Sequence, residues 1–160
     1  MSDKNMASAK EILSRQLNIW LENYLKQKYT NYNVEVFIPQ NYISKIPNDN
    51  IKKIPNYSSF DFKPDVIGIL SSKSDSNDIK LVFVNRSTSA LSLKEIGEIL
   101  CYSRIAQPVE SFLISPKALA NEVNLILLDK SKQNNILSYN DKFVKIGKFD
   151  GEKVLHLFPR

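Results

Sequence analysis

The hydrophobic pattern at the start of the chain predicts one helix followed by one strand. Ser8 and Glu11 have the spacing of a capping box, in which the two side chains satisfy backbone N–H groups at a helix start. Apolar residues then recur at helical spacing, so we predict a helix over residues 8–28. The alternation in residues 34–38 predicts a strand, which Pro39 ends.

The middle of the chain predicts an irregular segment followed by two paired strands. Residues 40–59 hold prolines and several asparagines, which favours an ordered loop or a short helical excursion. Residues 60–70 and 79–84 predict strands that pair across the polar turn 71–78. The uninterrupted apolar run 81–84 is typical of a strand that is buried on both faces.

A second helix is predicted over residues 92–106. Ser92 and Glu95 form another capping box at its start, and Pro108 follows its end. The apolar residues of this helix predict a buried stripe of Leu93, Ile96, Ile99 and Leu100.

The last third of the chain predicts shorter elements. A strand over residues 110–114 is followed by a helix that Ser115 would cap, with Pro116 in its first turn. Residues 125–128 fit a helix or a strand equally well. The remaining expected elements are a short strand near 135–139 and a hairpin of strands 142–149 and 153–158 joined at Asp150-Gly151.

This order of elements predicts an α/β fold in which helices flank a mixed central sheet. The length of 160 residues fits a single domain over residues 1–160. Hydrophobic residues at 42% and charged residues at 24% exclude a disordered chain. No apolar run approaches the roughly 18 residues that a membrane span requires, and the first residues form no apolar leader, so we expect a cytoplasmic protein without membrane contact.

Charge and residue usage narrow the candidate chemistry. The formal charge of +5 modestly favours a polyanionic partner. The chain has only 4 glycines, which excludes glycine-rich phosphate loops, and its single cysteine, Cys101, excludes an internal disulfide framework.

Asp65 supplies the most informative motif. It follows Pro64 at the entrance of one predicted strand, and a turn, an apolar strand and a helix come after it. This arrangement, after an initial helix that carries Glu11, resembles the PD-(D/E)XK nuclease superfamily. The resemblance implies a restriction endonuclease-like core. In such enzymes a divalent metal lies between this Asp and a Glu at the end of the next strand, and a Lys two residues further on helps to activate water.

The second half of that motif is changed in this chain. Asn85 stands at the position of the metal-binding glutamate, and Ser87 stands at the position of the lysine. Both changes remove a charge that metal-dependent cleavage uses, since a neutral amide binds Mg²⁺ more weakly than a carboxylate. The resemblance therefore predicts a domain that has lost its cutting motif, with Asp65, Asn85, Ser87 and Glu98 at the positions equivalent to an active site.

The second helix adds a weaker match. Glu98 and Tyr102 resemble the Gln-x-x-x-Tyr pattern that many members carry beside the active site, and residues four apart share a helix face. Glu98 could therefore replace the lost glutamate, with Lys94 approximately on the same face. The alternative is that this face of the helix is merely solvated.

Two further residues keep two interpretations each. Arg86 either contacts a phosphate of a nucleic acid or pairs with Asp65 in place of a metal. Glu11 is either part of the site or only the capping partner of Ser8.

Three functions follow from these observations. The first is a non-cutting nuclease-like module that binds nucleic acid, most of all DNA, through Arg86, Tyr102 and Lys94, or that binds a protein partner or a second copy. No cofactor is expected in that case. The second is an active endonuclease that holds Mg²⁺ between Asp65 and Glu98. The third is a structural or regulatory interaction protein that binds no nucleic acid.

Overall fold

The computed structural model describes residues 7–160, in which helices cover both faces of one mixed sheet. The helices are α1 (Ala9–Lys28), α2 (Leu93–Ala106), α3 (Asn121–Leu127) and α4 (Lys130–Leu137). The strands are β1 (Tyr32–Phe37), β2 (Val66–Ser72), β3 (Ile79–Arg86), β4 (Glu110–Ser115), β5 (Ser138–Tyr139), β6 (Lys142–Phe143), β7 (Lys145–Phe149) and β8 (Val154–Phe158).

The main sheet has six strands in the order β1–β2–β3–β4–β7–β8. β1, β2 and β3 pair antiparallel, β3, β4 and β7 pair parallel, and β8 pairs antiparallel with β7. β5 and β6 form a separate small hairpin. The expected α/β architecture with a mixed central sheet is therefore confirmed.

Helix α1 covers one face of the sheet. Its buried leucines recur at helical spacing and pack on apolar residues of β2, β3 and β4. Gly68 in β2 permits this close approach, because a Cβ there would lie 2.7 Å from Leu25 Cδ1. Ser8 caps α1 by accepting a hydrogen bond from the Glu11 N–H at 3.1 Å. The predicted helix and its capping residues are confirmed.

The other face is covered by α2, α3, α4 and the segment between β1 and β2. That segment contains three 3₁₀ turns, Ile43–Lys45, Ile51–Lys53 and Tyr57–Ser59, as the helical excursion predicted there. Its Ile43, Ile51 and Phe60 join the second core cluster beside Phe83 and Ile99. The capping box at Ser92 and Glu95 is also confirmed.

Two predicted elements, a strand and a helix, begin later in the chain than predicted. The strand predicted from residue 60 begins only at Val66, because Ile43 and Ser44 bond to the backbone of residues 60–62 instead. Ser115 does not cap a helix: it ends β4, and its Oγ donates to Ser89 O at 2.7 Å. α3 begins only at Asn121, after Ala120 N–H has bonded to Leu91 O.

The chain between 125 and 149 also differs from the prediction. Residues 125–127 belong to α3, and most of the strand predicted near 135–139 is helix α4, which Asp129 caps by accepting from the backbone N–H groups of Ser131 and Lys132. The long strand predicted over 142–149 is divided, because β6 pairs with β5 whereas β7 joins the main sheet.

Leu93 is the exception in the buried stripe of α2. Its side chain is 51% exposed, whereas Ile96, Ile99 and Leu100 are buried as predicted. Leu93 is the first residue of the helix and precedes the turn that packs on the sheet. No helix between residues 7 and 160 is long and apolar enough to cross a membrane.

Candidate functional site

Asp65 and Asn85 lie side by side at one end of the sheet. Val66 opens β2 and pairs with Val84 of the antiparallel strand β3, so the residue before Val66 faces the residue after Val84. The Asp65 N–H donates to Asn85 Oδ1 at 3.3 Å. Register alone therefore brings the two halves of the predicted motif together.

The Asn85 amide bridges the strand to helix α2. Its side chain is buried, with 4% of the residue exposed, and its Nδ2 donates to Glu98 Oε1 at 3.4 Å. The amide therefore has its oxygen toward the backbone of Asp65 and its donor toward the Glu98 carboxylate. A neutral side chain suits this position, because a carboxylate there would face a second one on Glu98.

Arg86 engages both oxygens of the Asp65 carboxylate. The Arg86 backbone N–H donates to Asp65 Oδ2 at 2.8 Å, and Arg86 Nη1 lies 3.4 Å from Asp65 Oδ1. The side chains are 19% exposed for Arg86 and 27% for Asp65, so the ion pair is largely removed from water. Of the two interpretations of Arg86, the structure shows the pairing with Asp65.

The guanidinium of Arg86 is also fixed to helix α1. Its Nε donates to Ser14 Oγ at 3.0 Å and to the Lys10 carbonyl at 3.3 Å. Ser14 is the one buried polar residue of α1, and the other buried residues of the helix are leucines. These contacts hold Arg86 in one orientation, because donors in a planar guanidinium have fixed directions. Sequence reasoning missed Ser14, whose only signal is a serine among the buried leucines of α1.

Burial raises the pKa of the Asp65 carboxyl above its ordinary value. The hydrogen bond from the Arg86 N–H and the positive charges of Arg86, Lys63 and Lys10 act in the opposite direction but do not fully offset the loss of water. Asp65 is thus a desolvated carboxylate surrounded by positive charge.

Helix α2 presents Glu98 and Tyr102 beside Asn85, as their spacing predicts. Glu98 is exposed, but Tyr102 is half-buried, and its ring stacks on Phe62 with centroids 4.5 Å apart. Burial and the nearby charges of Glu98 and Asp65 raise the pKa of the Tyr102 phenol. The face is therefore not merely solvated, since Tyr102 packs against the core.

Three other predicted site residues lie at or outside the edge of this cluster. Glu11 contacts Ser8 and, at 3.8 Å, Arg15, so the structure places it as a capping residue on an exposed turn. Ser87 continues the strand pairing through a hydrogen bond from its N–H to Ile114 O, and its Oγ accepts from the Ser89 N–H at 3.1 Å. Lys94 is exposed in the first turn of α2.

The residues present do not fit a Mg²⁺ site. Mg²⁺ prefers oxygen ligands in octahedral geometry, usually including carboxylates. Here Arg86 engages both oxygens of Asp65, and Asn85 directs its N–H donor, not its oxygen, at Glu98. Among residues 7–160, no three His, Cys, Asp or Glu side chains gather in a group that could hold a metal.

A second charged cluster, which sequence reasoning missed, lies at the start of β4. Glu110 is buried, and its carboxylate accepts hydrogen bonds from Tyr24 at 2.6 Å, Tyr29 at 2.5 Å and Lys145 at 2.6 Å. Lys28 lies 3.1 Å from the same carboxylate. Burial would raise the pKa of Glu110, but these hydrogen bonds outweigh it and leave the pKa lowered.

The Glu110 cluster ties three elements together and is satisfied internally. Tyr24 and Lys28 come from α1, Glu110 from β4 and Lys145 from β7. Burial and the Glu110 carboxylate raise the pKa of Tyr24 to about 12, so this phenol stays protonated and donates. We interpret the cluster as a structural link between α1 and the sheet, since every group in it has a partner.

Neither family models, nor curated proteins, nor solved structures gave a match to this chain.

Proposed function

We propose that this chain is a restriction endonuclease-like domain that binds nucleic acid without cutting it. The observation that carries the proposal is the engagement of the Asp65 carboxylate by the backbone and guanidinium of Arg86. Asp65 and Asn85 are adjacent, as the PD-(D/E)XK resemblance expects of its two motif positions, but the group facing Asp65 is a cation of the protein itself.

Loss of cutting follows from that arrangement. A metal ligand must present an oxygen lone pair to the ion, and Arg86 competes for both oxygens of Asp65. Ser87 offers no ammonium in place of the lysine, and its hydroxyl already accepts a hydrogen bond within the loop. Asp65 and Arg86 instead hold the ends of β2 and β3 against α1.

Binding of nucleic acid is supported by the charge around the pair. Arg86 neutralises Asp65, and the exposed Lys10 and Lys63, whose charges act on Asp65, add two positive charges near the pair, against one negative charge on Glu98. Lysines in such positions contact phosphates and release counterions, which gives affinity without a requirement for sequence. The overall charge of +5 acts in the same direction.

Fluorescence anisotropy with a labelled DNA duplex, repeated over a series of salt concentrations, tests the binding. We expect log affinity to fall linearly with log salt, with each phosphate contact adding about 0.9 to the slope. Lys10→Glu and Lys63→Glu should each weaken binding and reduce the slope by about one contact.

Lys52→Glu is the matched control. Its neighbour Lys53 bonds to Ser76 in the turn between β2 and β3, which places this pair of lysines at the far end of the sheet from Asp65. Lys52→Glu changes the net charge by the same amount as the two test variants. Because it lies far from Asp65, it should leave the slope unchanged. A slope near zero in the unmodified protein, or equal losses in all three variants, would contradict the proposed surface.

A protein partner in place of nucleic acid is the second candidate, and the exposed Glu98 on α2 favours it, because a carboxylate repels phosphate. Absence of DNA binding by the unmodified protein would leave the protein partner. If DNA is bound, Glu98→Gln tests whether α2 takes part: tighter binding would support a nucleic-acid surface around α2, and unchanged binding would mean that α2 lies outside it.

A further inference from the structure

A cleft lies between helix α1 and the hairpin of β7 and β8, and we call it the α1–β8 cleft. α1 packs over β2, β3 and β4, whereas α2, α3 and α4 lie on the opposite face of the sheet. The cleft has a volume of about 260 Å³. Its walls are Trp20 and Tyr24 from α1, Phe112 from β4, Lys145 from β7 and His156 from β8.

Gly147 forms part of the floor of the α1–β8 cleft. It alternates along β7 with Lys145 and Phe149 on the face that α1 covers. A Cβ on Gly147 would lie 2.3 Å from Val154 Cγ1, so packing against β8 excludes a side chain here. The surface of the sheet is therefore low at this point, which leaves room for a flat ligand.

Three aromatic rings form one wall of the cleft. Trp20 stacks on Tyr24 with ring centroids 5.3 Å apart, and Phe112 meets them edge-on at 5.2 Å and 5.5 Å. Trp20 is only partly buried, so some of its indole surface faces the cleft. Because its neighbours hold the indole in place, an incoming ring meets a surface that is already ordered.

Positive charge lies beside this aromatic wall. Lys28 at 3.1 Å and Lys145 at 2.6 Å both contact the carboxylate of Glu110, so two ammonium groups face one acid. Burial and the Glu110 carboxylate raise the pKa of Tyr24 to about 12, so the phenol adds no negative charge. Lys145 Nζ also lies 5.5 Å from the centroid of the Phe112 ring. The cluster therefore keeps one positive charge at the aromatic wall.

These features together favour a planar ring that carries a phosphate. Lys145 repels a cationic ligand, and an uncharged aliphatic ligand gains nothing from either lysine. Glu152 lines a neighbouring cavity on the side of the hairpin turn, so phosphate is favoured at the opposite end, near Lys28 and Lys145. An unpaired base with its phosphate meets both requirements, whereas a base within a duplex is already stacked and paired.

We propose that the α1–β8 cleft binds an unpaired base of single-stranded nucleic acid, which stacks on Trp20 with its phosphate near Lys28 and Lys145. The inference rests on the proposed nucleic-acid binding and names its substrate as one with an unpaired segment. Lys10 and Trp20 lie on the same helix, about 15 Å apart along its axis, so one strand of a few nucleotides reaches both.

The fluorescence of the unmodified protein tests the cleft directly, because Trp20 is the only tryptophan in the chain. Addition of a short oligo-dT should quench the emission of Trp20, since a base stacks on its indole. A duplex of the same length should bind through Lys10 and Lys63 and leave the emission unchanged.

Variants of Trp20 test the stacking by anisotropy of a labelled oligo-dT. Trp20→Leu should weaken binding by about 5- to 150-fold, which is the range for loss of one base–aromatic stack. Trp20→Phe keeps a ring and should recover most of the affinity. Both variants should bind the duplex as the unmodified protein does.

Tyr57→Leu is the matched control for these variants. Tyr57 is also a partly buried aromatic residue, but it packs against the core on the opposite face of the sheet. This variant should bind oligo-dT with unchanged affinity. Circular dichroism should show a folded protein in all three variants.

The possible failures of the two proposals differ. Binding of duplex without any change of Trp20 emission on addition of oligo-dT would overturn this inference alone. No binding of either nucleic acid would contradict the proposed function and this inference with it. Thymidine monophosphate that quenches Trp20 as strongly as oligo-dT at equal nucleotide concentration would indicate a small-molecule site, and would also overturn the inference. Equal loss of oligo-dT affinity in Trp20→Leu and Tyr57→Leu would contradict stacking on Trp20.

Discussion

Arg86 Nη1 lies 3.4 Å from Asp65 Oδ1, while the Arg86 backbone N–H donates to Asp65 Oδ2 at 2.8 Å. One residue therefore engages both oxygens of the carboxylate, once through its main chain and once through its side chain. The contact joins the entrance of β2 to the end of β3, and Arg86 Nε extends it to Ser14 of α1. It is the feature on which the proposed function rests.

Removing the guanidinium should destabilise the fold. Arg86→Ala leaves a desolvated carboxylate with only its backbone donor. We expect the free energy of unfolding to fall by about 1–3 kcal/mol. This is less than the ~3–5 kcal/mol typical of breaking a fully buried pair, because both side chains keep some contact with water. Urea unfolding at pH 7 measures it. Asp65→Asn and the double variant complete a double-mutant cycle. A coupling energy near zero would mean that the ion pair contributes nothing to the stability of the fold.

The titration of Asp65 should report its burial. Its pKa in the folded protein is raised above the ~3.9 of an exposed Asp, so folding disfavours the ionised form. The destabilising contribution is present above the raised pKa and is relieved as pH falls through it. Carbon-13 NMR of the carboxyl group, assigned with Asp65→Asn, should give a midpoint above the ordinary value and a higher one in Arg86→Ala. A midpoint below the ordinary value would contradict the desolvation.

Glu110 should show the opposite dependence on pH. The pKa of Glu110 is lowered in the folded protein, so its carboxylate stabilises the fold at pH values above the pKa of ~4.3 of an exposed Glu. This stabilisation is lost as the pH falls through the lowered pKa. Glu110→Gln should cost about 2–4 kcal/mol at pH 7, because Lys145 and two phenols lose a charged acceptor. The difference from the unmodified protein should shrink toward pH 3.

Glu122→Gln is the control for that experiment, since Glu122 is an exposed acid on α3. It should change the free energy of unfolding by less than about 0.5 kcal/mol. A cost for Glu110→Gln that is equal at both pH values would show that shape, not charge, holds the cluster.

Restoring a carboxylate at position 85 should create a response to metal. Asn85→Asp buries a second negative charge beside Glu98, so we expect a loss of about 2 kcal/mol or more in the absence of metal. Added Mn²⁺ should raise the melting temperature of this variant, because an ion that binds only the folded state stabilises it. The unmodified protein and Asn85→Ala should not respond. A Mn²⁺ response of the unmodified protein that Asp65→Asn abolishes would contradict the conclusion that the residues present do not fit a metal site.

The sequence predicted the elements whose signals are local. Ser8 with Glu11 and Ser92 with Glu95 are spaced three residues apart, and each pair marks a helix start in the structure. Asp65 and Asn85 could also be predicted as neighbours, because one hairpin turn separates their strands.

Features that depend on partners distant in the chain were not predicted. Ser115 and Pro116 are typical of a helix start, but pairing of Ser115 with Lys148 of β7 extends β4, and Ala120 bonds to Leu91 before α3 begins. The Glu110 cluster joins Tyr24 and Tyr29 to a carboxylate more than 80 residues away. Such contacts follow from the order of strands in the sheet, which local patterns do not encode.

The Arg86 pair was one of two interpretations that the sequence left open. A basic residue at a strand end fits a phosphate contact equally well. The choice depends on Ser14 and Lys10 of α1, which accept from Arg86 Nε and lie more than 70 residues earlier in the chain.

One assay tests the central claim most directly. A labelled DNA duplex is incubated with the protein at low salt in the presence of Mg²⁺ or Mn²⁺, and a native gel and a denaturing gel are run from the same sample. We expect the native gel to show a complex that weakens as salt rises, and the denaturing gel to show intact strands. Cleaved strands that are absent with Asp65→Ala would contradict the claim.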